Sequence, residues 1–322
     1  MTRFFISKFF LMSLFFSILL GAISAFKPID LLPDMSIYKE YFYGIVSGAD
    51  IIVEPSYVLV SKISYLSGGG FPFVIFIYFF FSLSIKAYVI RKDSERYVFA
   101  LLYITSYMLL HEFIQIRIGI AISMLFLGCY LHFHGRTLSG AAVILSAALF
   151  HVSAIIFPII FYFSVFVSNK RVLFILPMLV IISFVAALND NFNALNFFSL
   201  LPGAFQYKIN LYVEMQSYLN EYINILSVRL LIFYFVIVLL WHSIDRLIYT
   251  DKIILIVCTC FIIIMLFSVS LPSLALRVVE IAGPFFILLI ARLRRYFAKP
   301  YVYAIWLVTF LSNIYYSYSF FG

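Results

Sequence analysis

The sequence predicts an all-α, polytopic integral membrane protein with about 11 transmembrane helices, within a range of roughly 9 to 12. Three observations predict this class. Of the 322 residues, 65% are hydrophobic and only 11% are charged, the mean hydropathy is +1.10, and long runs carry no charge. A soluble domain of this length cannot bury so much apolar surface. We expect a single membrane domain over residues 1–322.

The first apolar run could be taken for a secretory signal, because Arg3 and Lys8 precede it. The run covers residues 4–26, which is long enough to cross a hydrocarbon core of about 30 Å, and other spans follow. We interpret it as an uncleaved first helix. The other spans are predicted at residues 71–90, 97–111, 113–131, 138–150, 152–168, 172–188, 223–243, 253–271, 275–291 and 301–318. The pairs beside Glu112 and His151 are short, which indicates tight hairpins or kinked helices.

The distribution of basic residues predicts the orientation of the chain. With the N-terminus in the cytoplasm, 15 of the 22 basic residues lie on the cytoplasmic side. These 15 are Arg3, Lys8, Lys86, Arg91, Lys92, Arg96, Arg136, Lys170, Arg171, Arg246, Lys252, Arg292, Arg294, Arg295 and Lys299. The outer loops hold Lys27, Lys39, Lys62 and Lys208. The net charge of +8 is therefore mainly a topology signal and requires no nucleic-acid partner. We expect a multi-pass membrane protein with its N-terminus in the cytoplasm.

Three arginines are left inside predicted spans: Arg117, Arg229 and Arg277. Each lies about four to seven residues from the outer end of its helix, so all three are expected roughly 6 to 10 Å below the outer surface. Three guanidinium groups at one depth indicate a site for one anionic ligand. The alternative is that each arginine extends to the outer headgroups or pairs with a local carboxylate such as Glu112, Glu221 or Glu280.

Two larger outer loops, at about residues 27–70 and 189–222, are rich in acidic and aromatic residues. Such surfaces suit sugars, whose C–H faces stack on rings while their hydroxyls take hydrogen bonds; the alternative is an interfacial aromatic belt. In the first loop, Asp34, Tyr38 and Tyr41 have the spacing of one side of a short helix. Glu54 and Pro55 then begin an apolar stretch that ends at Leu66, which predicts a half-buried re-entrant or interfacial helix.

Four motifs occur in order within residues 28–165. They are D-x3-Y-x2-Y at Asp34, Tyr38 and Tyr41, E-P-x-Y at Glu54, Pro55 and Tyr57, I-R-x-x-I-A at Ile116, Arg117, Ile120 and Ala121, and F-H-x-S-A at Phe150, His151, Ser153 and Ala154. In this order the chain resembles the EpsG-like family of bacterial polysaccharide polymerases, which includes the Wzy-type O-antigen polymerases. Gly119 departs from the family pattern, which tends to carry a more polar residue beside the arginine.

The resemblance implies a reaction at the periplasmic face of the inner membrane. A glycan on undecaprenyl pyrophosphate is transferred to the terminal sugar of a new lipid-linked repeat unit. The implied partners are undecaprenyl-pyrophosphate-linked glycans, with a chain-length regulator in the membrane as a further candidate. We expect O-antigen or a related surface polysaccharide of lipopolysaccharide biosynthesis as the product.

The residue types suit this chemistry. Arginine binds phosphate oxygens in a bidentate manner, so Arg117 and Arg277, with Arg229 in reserve, are the predicted pyrophosphate ligands. Tyr38 and Tyr41 are the predicted sugar contacts. We expect no cofactor and a metal-independent transfer, because no cluster of acidic or histidine ligands lies within the spans. Cys129, Cys258 and Cys260 all fall inside spans, which predicts neither a disulfide framework nor a metal cluster.

His151 is the preferred catalytic base, because an imidazole can accept a proton from a sugar hydroxyl at neutral pH. The alternative is a structural histidine at a helix break. Glu112, His111, Asp34 and Glu54 are the other candidates for the base.

Two other function classes remain open. A lipid-linked sugar flippase or transporter would also hold buried arginines, but such carriers usually show internal repeats, and the sequence shows no convincing self-similarity. A membrane sugar O-acyltransferase of similar size would use a histidine on an acyl donor from the cytoplasm, whereas His111 and His151 are predicted on the outer side.

Overall fold

The computed structural model describes residues 7–28, 33–168, 171–188 and 223–321, and all regular structure in these ranges is helical. The α-helices are α1 (Lys8–Ala25), α2 (Pro33–Val46), α3 (Pro55–Leu66), α4 (Gly70–Ile90), α5 (Arg96–Tyr103), α6 (Ile116–Phe133), α7 (Thr137–Ser146), α8 (Ile156–Val167), α9 (Ile175–Ala187), α10 (Val228–His242), α11 (Tyr249–Phe267), α12 (Pro272–Arg292) and α13 (Lys299–Phe321). A π-helical segment (Ile104–Ile114) continues α5. Short 3₁₀ turns lie at Ala147–Leu149, Val152–Ile155, Arg171–Phe174, Ile244–Arg246 and Leu293–Arg295.

The predicted class is confirmed, and a helix lies at every predicted span. Six helical stretches are long and apolar enough to cross a membrane: Lys8–Ala25, Gly70–Ile90, Arg96–Ile114, Ile116–Phe133, Tyr249–Phe267 and Pro272–Arg295. Several of the others are shorter apolar helices. The first predicted outer loop contains α2 and α3, so both helices expected there are confirmed. The second, at 189–222, lies outside the described residues.

The helix break near Glu112 lies at a different place from the predicted one. The helix continues through Glu112 as a π-helix and ends at Gln115, whose φ of −97° and ψ of 59° are not helical. The prediction treated a charged residue as the end of a span. Glu112 stays within the helix because its charge is neutralised by a lysine from α4, Lys86.

Lys86 and Glu112 form the polar centre of the N-terminal half. Lys86 Nζ lies 2.8 Å from Glu112 Oε1, and it also donates to Gly119 O at 2.9 Å and Ser123 Oγ at 2.6 Å. Tyr103 OH donates to the Glu112 carboxylate at 2.8 Å. The side chains of the pair are 2% and 0% exposed. Lys86, which the sequence analysis counted among the basic residues of the cytoplasmic side, is therefore buried within the helical bundle and paired there.

The chain divides into two compact units, residues 1–158 with 316–322, and residues 159–315. In the first unit α4 is central and packs against α1, α3 and α6. The turn between α3 and α4 uses Gly68 and Gly70, whose φ values of 74° and 61° are strained for other residues. Gly119 permits close packing of α6 on the π-helix, since a Cβ there would lie 2.5 Å from His111 O. This contact accounts for a glycine beside Arg117.

The second unit is built around α11, which packs against α9, α10 and α12. Phe233 of α10 stacks on Phe286 of α12 with 4.2 Å between ring centroids. Asp251, at the start of α11, is fully buried and pairs with Arg292 at 2.5 Å. Charged side chains are therefore buried in pairs in this unit too. The single membrane domain expected over residues 1–322 stays a prediction.

The buried pair allows a double-substitution test. Lys86→Met or Glu112→Leu alone should lower the free energy of unfolding by about 3 to 5 kcal/mol, because each leaves one charge buried without its partner. The double variant should recover most of that loss, which thermal unfolding of the purified protein in detergent would measure. A double variant as unstable as the two losses added together would show that Lys86 and Glu112 contribute independently, which would contradict their coupling as a buried ion pair.

Candidate functional site

The carboxylate of Glu54 contacts both Arg117 and His151. The three residues come from three separate segments of the chain. Glu54 precedes the first turn of α3, Arg117 lies in the first turn of α6, and His151 separates two 3₁₀ turns. Arg117 Nη1 donates to Glu54 Oε2. His151 Nδ1 lies 3.5 Å from Glu54 Oε1. We call these three residues the Glu54 cluster; all belong to the first unit.

Three tyrosine rings surround the guanidinium of Arg117. Its Cζ lies 4.7 Å from the ring centroid of Tyr38, 5.8 Å from that of Tyr41 and 5.9 Å from that of Tyr57. These are cation–π distances. Tyr38 and Tyr57 are buried, and Tyr57 OH donates to Tyr38 O at 2.6 Å, which joins α3 to α2. Only Tyr41 of the three is partly accessible. The arginine is therefore held by one carboxylate and an aromatic wall.

An apolar core formed by α2, α3, α4 and α6 lies next to the cluster. Met35 and Phe42 of α2, Ile75 of α4, and Ile116 and Ile120 of α6 are among its buried members. These residues recur at helical spacing on their own elements, so burying them aligns α2, α4 and α6.

Tyr78 of α4 links the core to both loop segments of the cluster. Its hydroxyl lies 3.1 Å from Ser56 Oγ, beside Glu54. Its ring contacts Phe150, next to His151, at 6.3 Å between centroids. The positions of Glu54 and His151 therefore both depend on α4.

The environment keeps Glu54 ionised. Burial alone raises the pKa of this carboxyl group, but the hydrogen bond from His151 and the charge of Arg117 outweigh it and lower the pKa to about 2. A carboxylate with this pKa is too weak a base to take a proton from a hydroxyl at neutral pH. It is an acceptor instead, which favours a proton on His151 Nδ1 and leaves Nε2 with its lone pair.

The cluster is accessible to a ligand. The side chains of Arg117, Glu54 and His151 are 15%, 12% and 16% exposed. Arg117 Nε has no hydrogen-bond partner within the part of the chain that the structure describes. The arrangement thus offers guanidinium donors and an imidazole base side by side at one partly open surface.

Comparison with protein families gives a match over most of the chain. A model of the EpsG family covers residues 8–322, which is nearly the whole chain. The chain belongs to the EpsG family. Members of this family are Wzy-like polysaccharide polymerases, so the predicted resemblance is confirmed and the chain is a membrane protein of the polymerase type. No curated protein and no solved structure matches it.

The structure brings together most of the residues that the EpsG-like motifs indicated. Tyr38, Tyr41, Glu54, Arg117 and His151 all contribute to the Glu54 cluster or its aromatic wall. Asp34 lies half-buried in the first turn of α2, one turn before Tyr38. Their catalytic and binding roles stay predictions.

Two candidate bases lie elsewhere. Glu112 is 1% exposed and its carboxylate is occupied by Lys86, Tyr103 and Ser82. His111 is fully buried and stacks on Tyr107 with 4.9 Å between ring centroids. Neither side chain reaches a surface that a sugar hydroxyl can approach, which argues against both as the base.

The other two arginines belong to the second unit. Arg277 Nη1 pairs with Glu280 at 2.9 Å on the same helix, α12, which is the local pairing that the sequence left open as an alternative. Arg229 lies in the first turn of α10 and is half-buried. A common ligand for these two and Arg117 stays a prediction.

Several contributors were missed by sequence reasoning. Tyr57 belongs to a quoted motif, but its role behind Arg117 required the packing of α3 on α2. Lys27, just after α1, donates to Ser24 Oγ at 3.3 Å and to Phe113 O near the end of the π-helix.

Across the described ranges, no group of three or more histidine, cysteine or acidic side chains is placed to hold a metal ion.

The low pKa of Glu54 predicts an acid-dependent stability. A carboxyl group whose pKa falls from 4.5 to about 2 on folding stabilises the protein above pH 4.5, and this contribution is lost as the pH falls toward 2. Wild type should therefore exceed Glu54→Gln in melting temperature at pH 7, with the gap closing between about pH 4.5 and 2. Glu40→Gln, on the exposed side of α2, is the control and should show little gap. A gap that is independent of pH would contradict the ionised state of Glu54.

Proposed function

We propose that this protein polymerises lipid-linked oligosaccharide repeat units into O-antigen or a related surface polysaccharide at the periplasmic face of the bacterial inner membrane. The donor would be a glycan on undecaprenyl pyrophosphate, and the acceptor the terminal sugar of a new lipid-linked repeat unit. Membership of the EpsG family supports the polymerase class. The observation that carries the proposal is the Glu54 cluster, which places an arginine and a histidine on opposite oxygens of one carboxylate.

The proposed step is a glycosyl transfer. A hydroxyl oxygen of the acceptor forms a bond with the anomeric carbon of the donor, and the bond from that carbon to the pyrophosphate oxygen breaks. Undecaprenyl pyrophosphate leaves with the electron pair. The hydroxyl proton passes to His151 Nε2. The protein must therefore hold the anionic leaving group and accept one proton.

Arg117 supplies the charge for the leaving group. A guanidinium has five N–H donors in a planar fork, and one donor already bonds to Glu54. The cation–π contacts with Tyr38 and Tyr57 fix the plane of the fork from the buried side. In this proposal, phosphate oxygens bind the donors that neither Glu54 nor Tyr38 takes up. Arg117 thereby neutralises the charge that a metal ion neutralises in other phosphate sites.

Glu54 orients the base. Its ionised carboxylate lies 3.5 Å from His151 Nδ1, and in this proposal it selects the tautomer in which Nε2 is basic and stabilises the imidazolium that forms on proton transfer. The same carboxylate sets the position of Arg117. Glu54 is thus proposed as a positioning residue rather than the base.

Tyr41 is the proposed sugar contact. Tyr38 is buried behind Arg117, whereas Tyr41 keeps a partly accessible ring beside the guanidinium. An aromatic face in that place can stack on the C–H face of a sugar whose pyrophosphate is bound by Arg117. Asp34, one turn away on α2, is proposed to accept a hydrogen bond from a sugar hydroxyl. Binding of a chain-length regulator stays a prediction.

Deletion and complementation test this function. Loss of the gene should leave lipopolysaccharide with a single repeat unit, and the wild-type gene should restore the ladder. Disappearance of every repeat-bearing band would favour a flippase, and a full ladder that lacks acyl groups would favour an acyltransferase.

Arg117→Lys should reduce chain growth nearly as much as Arg117→Ala, by about 10² to 10³-fold, because a point charge cannot reproduce the bidentate fork. The readout is ladder intensity on a lipopolysaccharide gel at matched protein level. Arg136→Lys is the control, because Arg136 is exposed beside α7 and should tolerate the change. A normal ladder from Arg117→Lys would mean that Arg117 only extends to the headgroups.

His151→Ala and His151→Gln should both slow polymerisation by about 10² to 10⁴-fold while donor binding persists, because Arg117 holds the donor charge. Long incubation should recover short chains. His134→Gln, at the exposed end of α6, is the matched control. If His151→Gln keeps a near-normal ladder, His151 is structural, since glutamine can preserve one hydrogen bond at the helix break.

A further inference from the structure

An apolar groove lies between α1, α4 and the α5/π-helix stretch of the first unit. Its volume is about 380 Å³, and its lining includes Phe9, Leu20, Leu83, Ile90 and Met108. This volume falls within the range of roughly 300 to 1,000 Å³ that is typical of ligand sites. The groove is distinct from the Glu54 cluster, because Glu54, Arg117 and His151 are all absent from its lining. The proposed glycosyl transfer makes no use of it.

The dimensions of the groove match one membrane leaflet. It follows α1 from Phe9 to Leu20, which corresponds to about 17 Å at 1.5 Å per residue. A hydrocarbon core of about 30 Å gives each leaflet roughly half of that thickness. Met12 and Phe16, on one side of the groove, are 56% and 47% exposed, so the groove is open to the surroundings of the helices. An extended hydrocarbon chain therefore fits its length and polarity.

The only charged residue in the lining is Lys86, and it is not available to a ligand. Its amine is taken up by Glu112, Ser82, Ser123 and Gly119 O. Lys86 therefore offers only its methylene chain to the groove. An anionic headgroup must be bound at the end of the groove.

The end near Phe9 and Ile90 is cationic. Its basic residues are Lys8, Arg91, Lys92 and Arg96, and its acidic residues are Asp93 and Glu95. The Arg96 guanidinium lies between two rings, with Cζ 5.9 Å from the centroid of Phe9 and 4.8 Å from that of Tyr97. Phe9 and Tyr97 also line the groove. Arg96 Nε is buried without a hydrogen-bond partner in the described ranges. Arg96 Nη1 donates to Asp93 O at 3.1 Å. The guanidinium thus keeps one unpaired donor, Nε, beside two of the rings that line the apolar groove.

We propose that this groove binds one anionic glycerophospholipid, with an acyl chain along α1 and the phosphate on Arg96. The cationic end of the groove favours an anionic headgroup over a neutral one. Because the groove is about as long as one leaflet is thick, the lipid would belong to the leaflet at that end. The lipid would join α1 to α4 and α5 as a fixed part of the first unit.

Native mass spectrometry of the full-length protein in detergent tests this site. The probes are phosphatidylglycerol and phosphatidylcholine with identical acyl chains. Wild type should retain phosphatidylglycerol preferentially, and Arg96→Gln should lower that preference by about fivefold, which corresponds to one basic contact at a membrane surface. Arg136→Gln, which removes an exposed basic residue outside the groove, should leave it unchanged.

A second pair of variants tests the acyl-chain channel. Ala100→Phe adds a ring inside the groove and should reduce retention of both lipids, whereas Ala142→Phe adds the same ring on the exposed side of α7 and should not. Equal retention of the two lipids by wild type would overturn the anionic site. So would an unchanged preference in Arg96→Gln. A dimer that Ala100→Phe abolishes would instead assign the groove to a second copy of the chain.

Discussion

An ionised side chain within a hydrocarbon layer needs a partner, because leaving it alone costs several kcal/mol. Much of this structure follows from that constraint. Lys86 meets Glu112, Arg117 meets Glu54, Asp251 meets Arg292 and Arg277 meets Glu280. The first two pairs join helices that are distant in sequence. They determine where α4, the π-helix, α3 and α6 must lie in the first unit.

The two pairs of the first unit differ in what surrounds them. The Lys86–Glu112 pair is enclosed, and every polar atom of it bonds to protein. Arg117 and Glu54 remain partly accessible, and Arg117 Nε has no hydrogen-bond partner in the described part of the chain. The Lys86–Glu112 pair is a structural element, because it is buried and its polar atoms are all hydrogen-bonded. The Arg117–Glu54 pair is suitable for an anionic substrate, because it is partly exposed and Arg117 Nε is unpaired. His151, beside the same carboxylate, adds a base.

Gly119 shows how closely these two sites are related. Its carbonyl accepts a hydrogen bond from Lys86, and its missing side chain lets α6 approach the backbone of His111. Arg117 lies only two residues earlier on the same helix. The structural pair therefore sets the position of the helix that carries the arginine of the proposed site. A more polar side chain at Gly119 would have to displace this packing.

The sequence by itself determined the membrane class, the positions of the helices and most of the candidate site. Apolar runs of spanning length are local features, and the motif order placed Glu54, Arg117 and His151 in a family before any contact was known. The tertiary structure alone decided which charges pair. Lys86 resembled a topology signal, and Glu112 resembled both the end of a span and a possible base. Their contact joins residues from different helices, which hydropathy and spacing cannot specify. Because Glu112 is buried in this contact, Glu54 is the carboxylate that contacts His151 at the candidate site.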